Sequence, residues 1–304
     1  MYVSRRQTLF ASAALATALV LPRLAGRHRK FIFVYASGGW DPTRALADGF
    51  DHPGVAMEAR AERASVGGLP FVDHPERRSV RAFFQAHAAR SVVVQGVLVR
   101  SIAHEVCTRL ATTGTACGGA DWASRIQRGS GKGVGTVHRG DLSDPAAVVE
   151  ALARSGNRCA TLQAGKGPDG WDSHHRNDER QSPLWESLFA GLLGLQHRLE
   201  ATPGTTAPTL AGETVVVVIS ELGRTPGLNA QNGKDHWPYT SALLVGDGIA
   251  GGRAVGGWDR NWYGQSHEGQ EVSVESLGAT LLALADLDPR ACGSDAQPIH
   301  AVMA

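Results

Sequence analysis

Four stretches of the chain place carboxylates and imidazoles just past an apolar run, and these are the groups that bind divalent cations or move protons. The first is "VYASGGWDPT", with Asp41 after the opening run. The second is "VRSIAHEVCTRLATTGT", with His104 where a helical pattern starts. The third, "GPDGWDSHHRND", offers Asp172, His174 and His175 in a glycine-rich turn. The fourth is "TVVVVISELGRTPGLNAQNGKDHWP": a run of valines ends in Ser220-Glu221, and Asp235-His236 follow a polar loop. Singly, each has an ordinary explanation, since an aspartate after a strand is commonly a turn or helix cap. Glu221 carries the most weight, because a carboxylate at the mouth of a buried strand is costly to desolvate unless paired or metal-bound. Carboxylate oxygen mixed with imidazole nitrogen suits Zn²⁺ or Mn²⁺, with Mg²⁺ or Ca²⁺ less favoured as histidines accumulate.

Such groups act together only if the elements bearing them end on one rim. "KFIFVYAS", "SVVVQGVLV", "RCATLQAG", "ETVVVVIS" and "SALLVGDG" read as strands, the first, second and fourth apolar enough to be buried on both faces. "ERRSVRAFFQAHAA", "PAAVVEALARSG", "PLWESLFAGLLGLQHRLEA" with Pro183 near its start, and "VSVESLGATLLALADLD" have helical spacing. Strands alternating with helices predict an α/β fold, a mostly parallel central sheet with helices on both faces. Ligands collect beyond the carboxyl ends of such strands.

The 304 residues suffice for one large domain. A formal net charge of +1 gives no reason to expect nucleic acid or an anionic membrane as partner. The glycine-rich "RGSGKGVG" lacks the Ser or Thr after Lys132 of a phosphate-binding loop and reads as a surface loop. No Gly-x-Ser-x-Gly turn supplies a serine nucleophile. The four cysteines, Cys107, Cys117, Cys159 and Cys292, form no Cys-x-x-Cys pair; disulfides and buried free thiols both remain open.

At the N-terminus "SRRQTLF" precedes a short alanine-rich apolar run and the basic "RLAGRHRK". That order makes a signal peptide rather than a spanning helix, and Arg5-Arg6 resemble a twin-arginine signal. Residues 1–25 are set aside as this leader and 26–304 as a single domain, exported or periplasmic, with no membrane span in the mature chain.

"GGWDPT", "GWDSHHRN" and "SELGRTPGLNAQNGKDHWP", with the twin-arginine signal, resemble the exported bacterial family called domain of unknown function 1501. That family looks like a branch of the alkaline phosphatase/sulfatase superfamily. The resemblance implies the same α/β fold and one or two divalent metal ions that act on phosphate or sulfate esters. It makes Asp41 a metal ligand, Asp172 and His174 an aspartate–histidine ligand pair, Glu221 the strand-end ligand, and His236 the late histidine ligand, with Asp235 a ligand or its orienter. Leu222 stands where the superfamily has a histidine, and His104 where it has a Cys, Ser or Thr nucleophile. His104 is therefore read first as a metal ligand, with phosphohistidine and general base as the other roles. Arg224 is read as a clamp on an anionic ester or, equally, as a structural ion pair. Asn177 and Asn229 are read as hydrogen-bonding substrate or ligands, and Trp40, Trp171 and Trp237 as walls of the site. The expected activity is ester hydrolysis by a metal-activated water. The alternatives are a non-catalytic exported binding or assembly subunit and a metal-dependent phosphomutase.

Overall fold

β1 (Lys30–Tyr35) sets the plan of the molecule: Phe31 and Phe33 face one side of the sheet, Ile32 and Val34 the other, and all four are buried. Side chains alternate along a strand, so a run apolar at every position belongs to a strand covered on both faces. The structure is a computed structural model and describes residues 29–129, 136–154, 156–165 and 170–304.

After β1 come a hairpin of β2 (Glu62–Val66) and β3 (Leu69–Asp73), then α1 (Arg78–His87) and β4 (Ser91–Leu98). Next are α2 (His104–Thr113), α3 (Trp122–Gly129), β5 (His138–Asp141), α4 (Ala146–Ala153) and β6 (Cys159–Gln163). α5 (Asn177–Ala201) leads to β7 (Thr214–Ile219), and two short strands, β8 (Gly223–Arg224) and β9 (His236–Trp237), pair with each other. β10 (Tyr239–Gly246), β11 (Arg253–Gly256) and α6 (Val274–Leu284) follow.

Among the described residues the central sheet has seven strands in the order β11-β4-β10-β7-β1-β6-β5. Every neighbour pair is parallel except those made by β10. α1, α4 and α5 cover the face of Ile32, Val34, Val216 and Val218, while α2, α3 and α6 cover that of Phe31, Phe33, Val215 and Val217. The chain thus forms the expected mostly parallel α/β sheet with helices on both faces.

The one antiparallel strand matters for chemistry. β10 runs against β4 and β7, so it begins on the rim where those two end: Tyr239 lies opposite Leu98, and Ala242 opposite Ile219. Residues that precede β10 therefore arrive where residues that follow β4 and β7 also lie.

α5 starts at Asn177, six residues before Pro183, which falls inside the helix. Pro183 lies on the exposed side, where water can satisfy the carbonyl that loses its partner. The hairpin, α3, β5 and β11 lack a sequence-level expectation; β2 and β5 are largely exposed and carry no apolar run. All four cysteines are free thiols, Cys107 and Cys159 buried. The leader residues 1–25, and residues 130–135 of the glycine-rich loop, lie outside the described residues.

Glu213, buried just ahead of β7, ties down the preceding loop. It accepts from the backbone N–H and hydroxyl of Thr205 (2.9 and 2.8 Å), the N–H and hydroxyl of Thr206, and Ala207 N (3.1 Å). Burial alone raises a carboxyl's pKa, but these hydrogen bonds outweigh it and lower that of Glu213. A lowered folded pKa gives stability that is present above the unfolded value and lost as pH falls through the folded one. Glu213→Gln is expected to cost about 2 kcal/mol at pH 7. In urea melts its deficit against wild type should shrink below roughly pH 4.5, near the ordinary glutamate value.

Candidate metal centre

Each histidine of this rim has one ring nitrogen fixed by an oxygen and the other facing its neighbours. His104 is the first residue of α2, and its Nδ1 lies 2.8 Å from Glu221 Oε1. His174 Nδ1 lies 2.8 Å from Asp235 Oδ1, and His236 Nδ1 lies 2.6 Å from the carbonyl of Ile102. A carbonyl and an ionised carboxylate only accept, so Nδ1 carries the proton in all three rings and Nε2 the lone pair. His104 Nε2 is buried and has no hydrogen-bond partner. His174 Nε2 and His236 Nε2 are 2.9 Å apart. Two lone pairs do not face each other at that distance without a cation or a proton between them.

Asp172 adds an oxygen. Its Oδ1 lies 3.6 Å from His174 Nε2 and 3.0 Å from Arg224 Nη2. The latter is a charge contact that lacks the direction of a hydrogen bond, so Oδ1 has an acceptor position free. One donor atom from each of His104, Asp172 and His236 lies within 4.8 Å of the others. With bonds of about 2.0–2.2 Å, small adjustments of these side chains close them on one ion.

The local sequence explains the convergence. Gly38 N–H and the Ser220 hydroxyl donate to Glu221 at 2.8 and 3.1 Å, turning its carboxylate toward α2. β8 pairs Arg224 with His236, which folds the 225–235 loop back over the rim. Asn229 Nδ2 donates to His174 O (3.0 Å) and Asp235 Oδ1 (3.2 Å). Gly233 is required here: a Cβ on it would fall 1.9 Å from His174 O, so only glycine lets its loop touch the segment of His174.

The electrostatics differ between the rings. The Glu221 hydrogen bond, outweighing partial burial, raises the pKa of His104. Burial lowers that of His236, with Arg224 and the other histidines adding to it, which favours the neutral, metal-binding form. Burial pushes Asp172 up, but Arg224 and His174 outweigh it and hold the carboxyl below its ordinary value. Asp235 is lowered by its hydrogen bond to His174.

Several of the site residues named from the sequence stand differently in the structure. His174 and Asp235, expected as metal donors, lie outside the group of His104, Asp172 and His236 and pair with each other at 2.8 Å. Asp41, expected as a ligand, is wholly buried and lies outside the group of converging donors. Its oxygens are taken by Thr43, Asn177 and Lys234 Nζ at 2.9 Å, with Arg44 Nη2 at 3.4 Å. Glu221, expected as a ligand, turns its Oε1 to His104 Nδ1 at 2.8 Å, the position of a group that orients that ring. Arg224 is buried and donates to the carbonyls of Gly38, Gly39 and Lys234 while facing Asp172. That is its structural role, and it leaves no fork turned outward for an anionic ester. Asn177 bonds Asp41 and Ser173, while Trp40 and Trp171 pack with Trp185 in the core instead of walling an open site. Lys234, the partner of Asp41, drew no attention in the sequence; a lysine in a polar loop reads as solvent-exposed.

Glu221→Gln tests the orienting role. Loss of an outer partner of a metal-bound histidine weakens the metal by roughly 10–100-fold. Titration calorimetry with Zn²⁺ is expected to give a loss of that size, whereas removal of a direct ligand would exceed it.

Among the described residues no helix is long and apolar enough to cross a membrane. No curated protein matches the chain. A Bacteroides thetaiotaomicron protein solved as a candidate sulfatase is 10% identical, with 90% of this chain and 74% of that chain covered at a TM-score of 0.49. A protein of the alkaline phosphatase superfamily from Vibrio parahaemolyticus is 10% identical, with 85% and 67% covered and a TM-score of 0.44. Murine ectonucleotide pyrophosphatase/phosphodiesterase 5, solved in an inactive form with AMP, is 7% identical, with 85% and 95% covered and a TM-score of 0.45. The family described as protein of unknown function (DUF1501) matches residues 144–298, just over half of the sequence and the part that carries Asp172, His174, Glu221 and His236, and the chain belongs to that family.

Proposed function

We propose that this chain is a divalent-metal-dependent hydrolase of phosphate or sulfate esters. The observation that carries the reading is the convergence of one donor atom each from His104, Asp172 and His236, with Nδ1 of both rings held from behind, which leaves Nε2 to bind. Three protein donors are the number found in catalytic zinc sites, where a further position stays open. A divalent ion held there supplies a Lewis acid and makes water acidic enough to act near neutral pH.

The chain's own residues would do the rest. Glu221 and the Ile102 carbonyl keep the two ligand rings in orientation. His174 Nε2, beside the three donors and held by Asp235 from behind, takes the proton of the attacking water. The donors bring a single negative charge, so a divalent cation keeps positive charge toward an anionic ester. The organic part of the ester meets Ile102, Leu228 and Tyr263, three of the four large apolar side chains exposed among the described residues. Ile102 precedes His104 by two residues, Leu228 adjoins Asn229, and Tyr263 stacks on Trp237 at 5.4 Å. Arg5-Arg6 and the apolar run after them support delivery by the twin-arginine route, which exports proteins already folded.

The test is metal titration of the purified protein beside hydrolysis of p-nitrophenyl phosphate, bis-p-nitrophenyl phosphate and p-nitrophenyl sulfate. His174→Ala is expected to keep the metal within a few-fold and lose roughly 10²–10⁴ in rate. Metal binding without turnover of any ester would favour the second reading, a non-catalytic exported binding subunit. The burial of Arg224 supports that alternative.

A further inference from the structure

Asp41 and Lys234 form a pair with neither side chain exposed, although a lysine in a polar loop ordinarily reaches water. The ammonium sits 2.9 Å from Asp41 Oδ2 and 3.3 Å from Thr43 Oγ1. Asp41 Oδ1 accepts from Thr43 N–H (3.1 Å) and hydroxyl (2.6 Å), and Oδ2 also accepts from Asn177 Nδ2 (2.9 Å). Arg44 lies 3.4 Å away and is itself shared with Asp178. The carboxylate therefore has its hydrogen bonds and its counter-charge supplied by the chain. A metal ion entering here would have to displace an ammonium with no path to water.

Lys234 is also fixed by its backbone. Its N–H donates to Ser173 O at 3.0 Å and its carbonyl accepts from Arg224 Nη1 at 3.1 Å. It thus lies between the segment of Asp172 and His174 and the ligand His236, two residues on. We infer that the Lys234 ammonium is a built-in cation that takes the place of a second metal ion at Asp41, so that the centre holds one ion, at His104, Asp172 and His236. The inference rests on the metal reading proposed above and concerns how many ions the chain accepts and where.

The experiment counts ions. Full-length protein is equilibrated with excess Zn²⁺, and separately with Mn²⁺, desalted, and measured by plasma mass spectrometry against protein concentration. Circular dichroism checks each variant for folding. One ion per chain is expected in wild type, and one again in the double variant Asp41→Asn/Lys234→Met, which removes the pair together and leaves no lone buried charge. Substituting His104→Ala and His236→Ala together should leave none. Two ions in wild type, one of them lost in the double variant, would overturn this inference and leave the histidine centre intact. No ion in wild type would overturn both. A single ion that survives the histidine substitutions and leaves with Asp41 would place the cation at the position assigned to Lys234 and equally overturn the inference.

Discussion

Replacing His236 with alanine is expected to abolish stoichiometric metal binding and all ester hydrolysis while leaving the fold intact. His236 brings one of the three converging donor atoms, and its ring is half-exposed at the start of β9 instead of packed in the core. The structural loss is therefore small, being one hydrogen bond to the Ile102 carbonyl and ring contacts with two other histidines, edge-on to His104 and tilted to His174. The metal loss is large, exceeding the roughly 10–100-fold that follows removal of an outer partner. Calorimetric titration with Zn²⁺ and a thermal melt on the same sample read the two effects separately. A variant that still binds Zn²⁺ within tenfold of wild type would remove His236 from the ligand set.

The second large effect is on stability. Lys234→Met leaves the Asp41 carboxylate buried with only Arg44 for counter-charge, and Arg44 is shared with Asp178 and Glu58. Breaking one side of a buried pair costs about 3–5 kcal/mol, and the residual contact with Arg44 places the expected loss toward the lower end. The double variant Asp41→Asn/Lys234→Met should recover most of it, since replacing both members of a buried pair is close to neutral. Urea denaturation of wild type, the two single variants and the double variant gives the coupling as a cycle. The sign with pH also follows. Burial raises Asp41, but Arg44, Lys234 and the Thr43 hydrogen bond outweigh it and drive its pKa well below the carboxylate range. Its contribution is therefore present throughout neutral pH and is lost only in strong acid, as pH falls through that depressed value.

Strands buried on both faces announce themselves as unbroken apolar runs, which is why β1, β4 and β7 could be read directly from the sequence. So could Glu221 and His104, which follow two of those strands. What a sequence does not carry is orientation. Nothing in "YTSALLVG" tells that β10 runs against its neighbours, yet that reversal brings His236, which precedes its strand, onto the rim where the others follow theirs. Edge elements such as β5 and β11 are short and partly exposed, so they leave no periodic signature. The roles within the site were harder to read than its members. A carboxylate at a strand tip is equally suited to bind a metal or to hold the imidazole that does; only the 2.8 Å contact with His104 Nδ1 points Glu221 toward the second. The ion pair of Asp41 was out of reach for a similar reason, because its lysine partner lies almost two hundred positions away in sequence.

On this reading one cation is shared by donors from three distant segments. Anomalous diffraction at the zinc edge, from crystals equilibrated with Zn²⁺, tests it most directly. The predicted result is one peak per chain, about 2.0–2.2 Å from His104 Nε2, His236 Nε2 and an Asp172 oxygen, with Glu221 still on His104 Nδ1. A peak bonded to Asp41, or no peak at saturating zinc with His104 Nε2 left unbound, would contradict it.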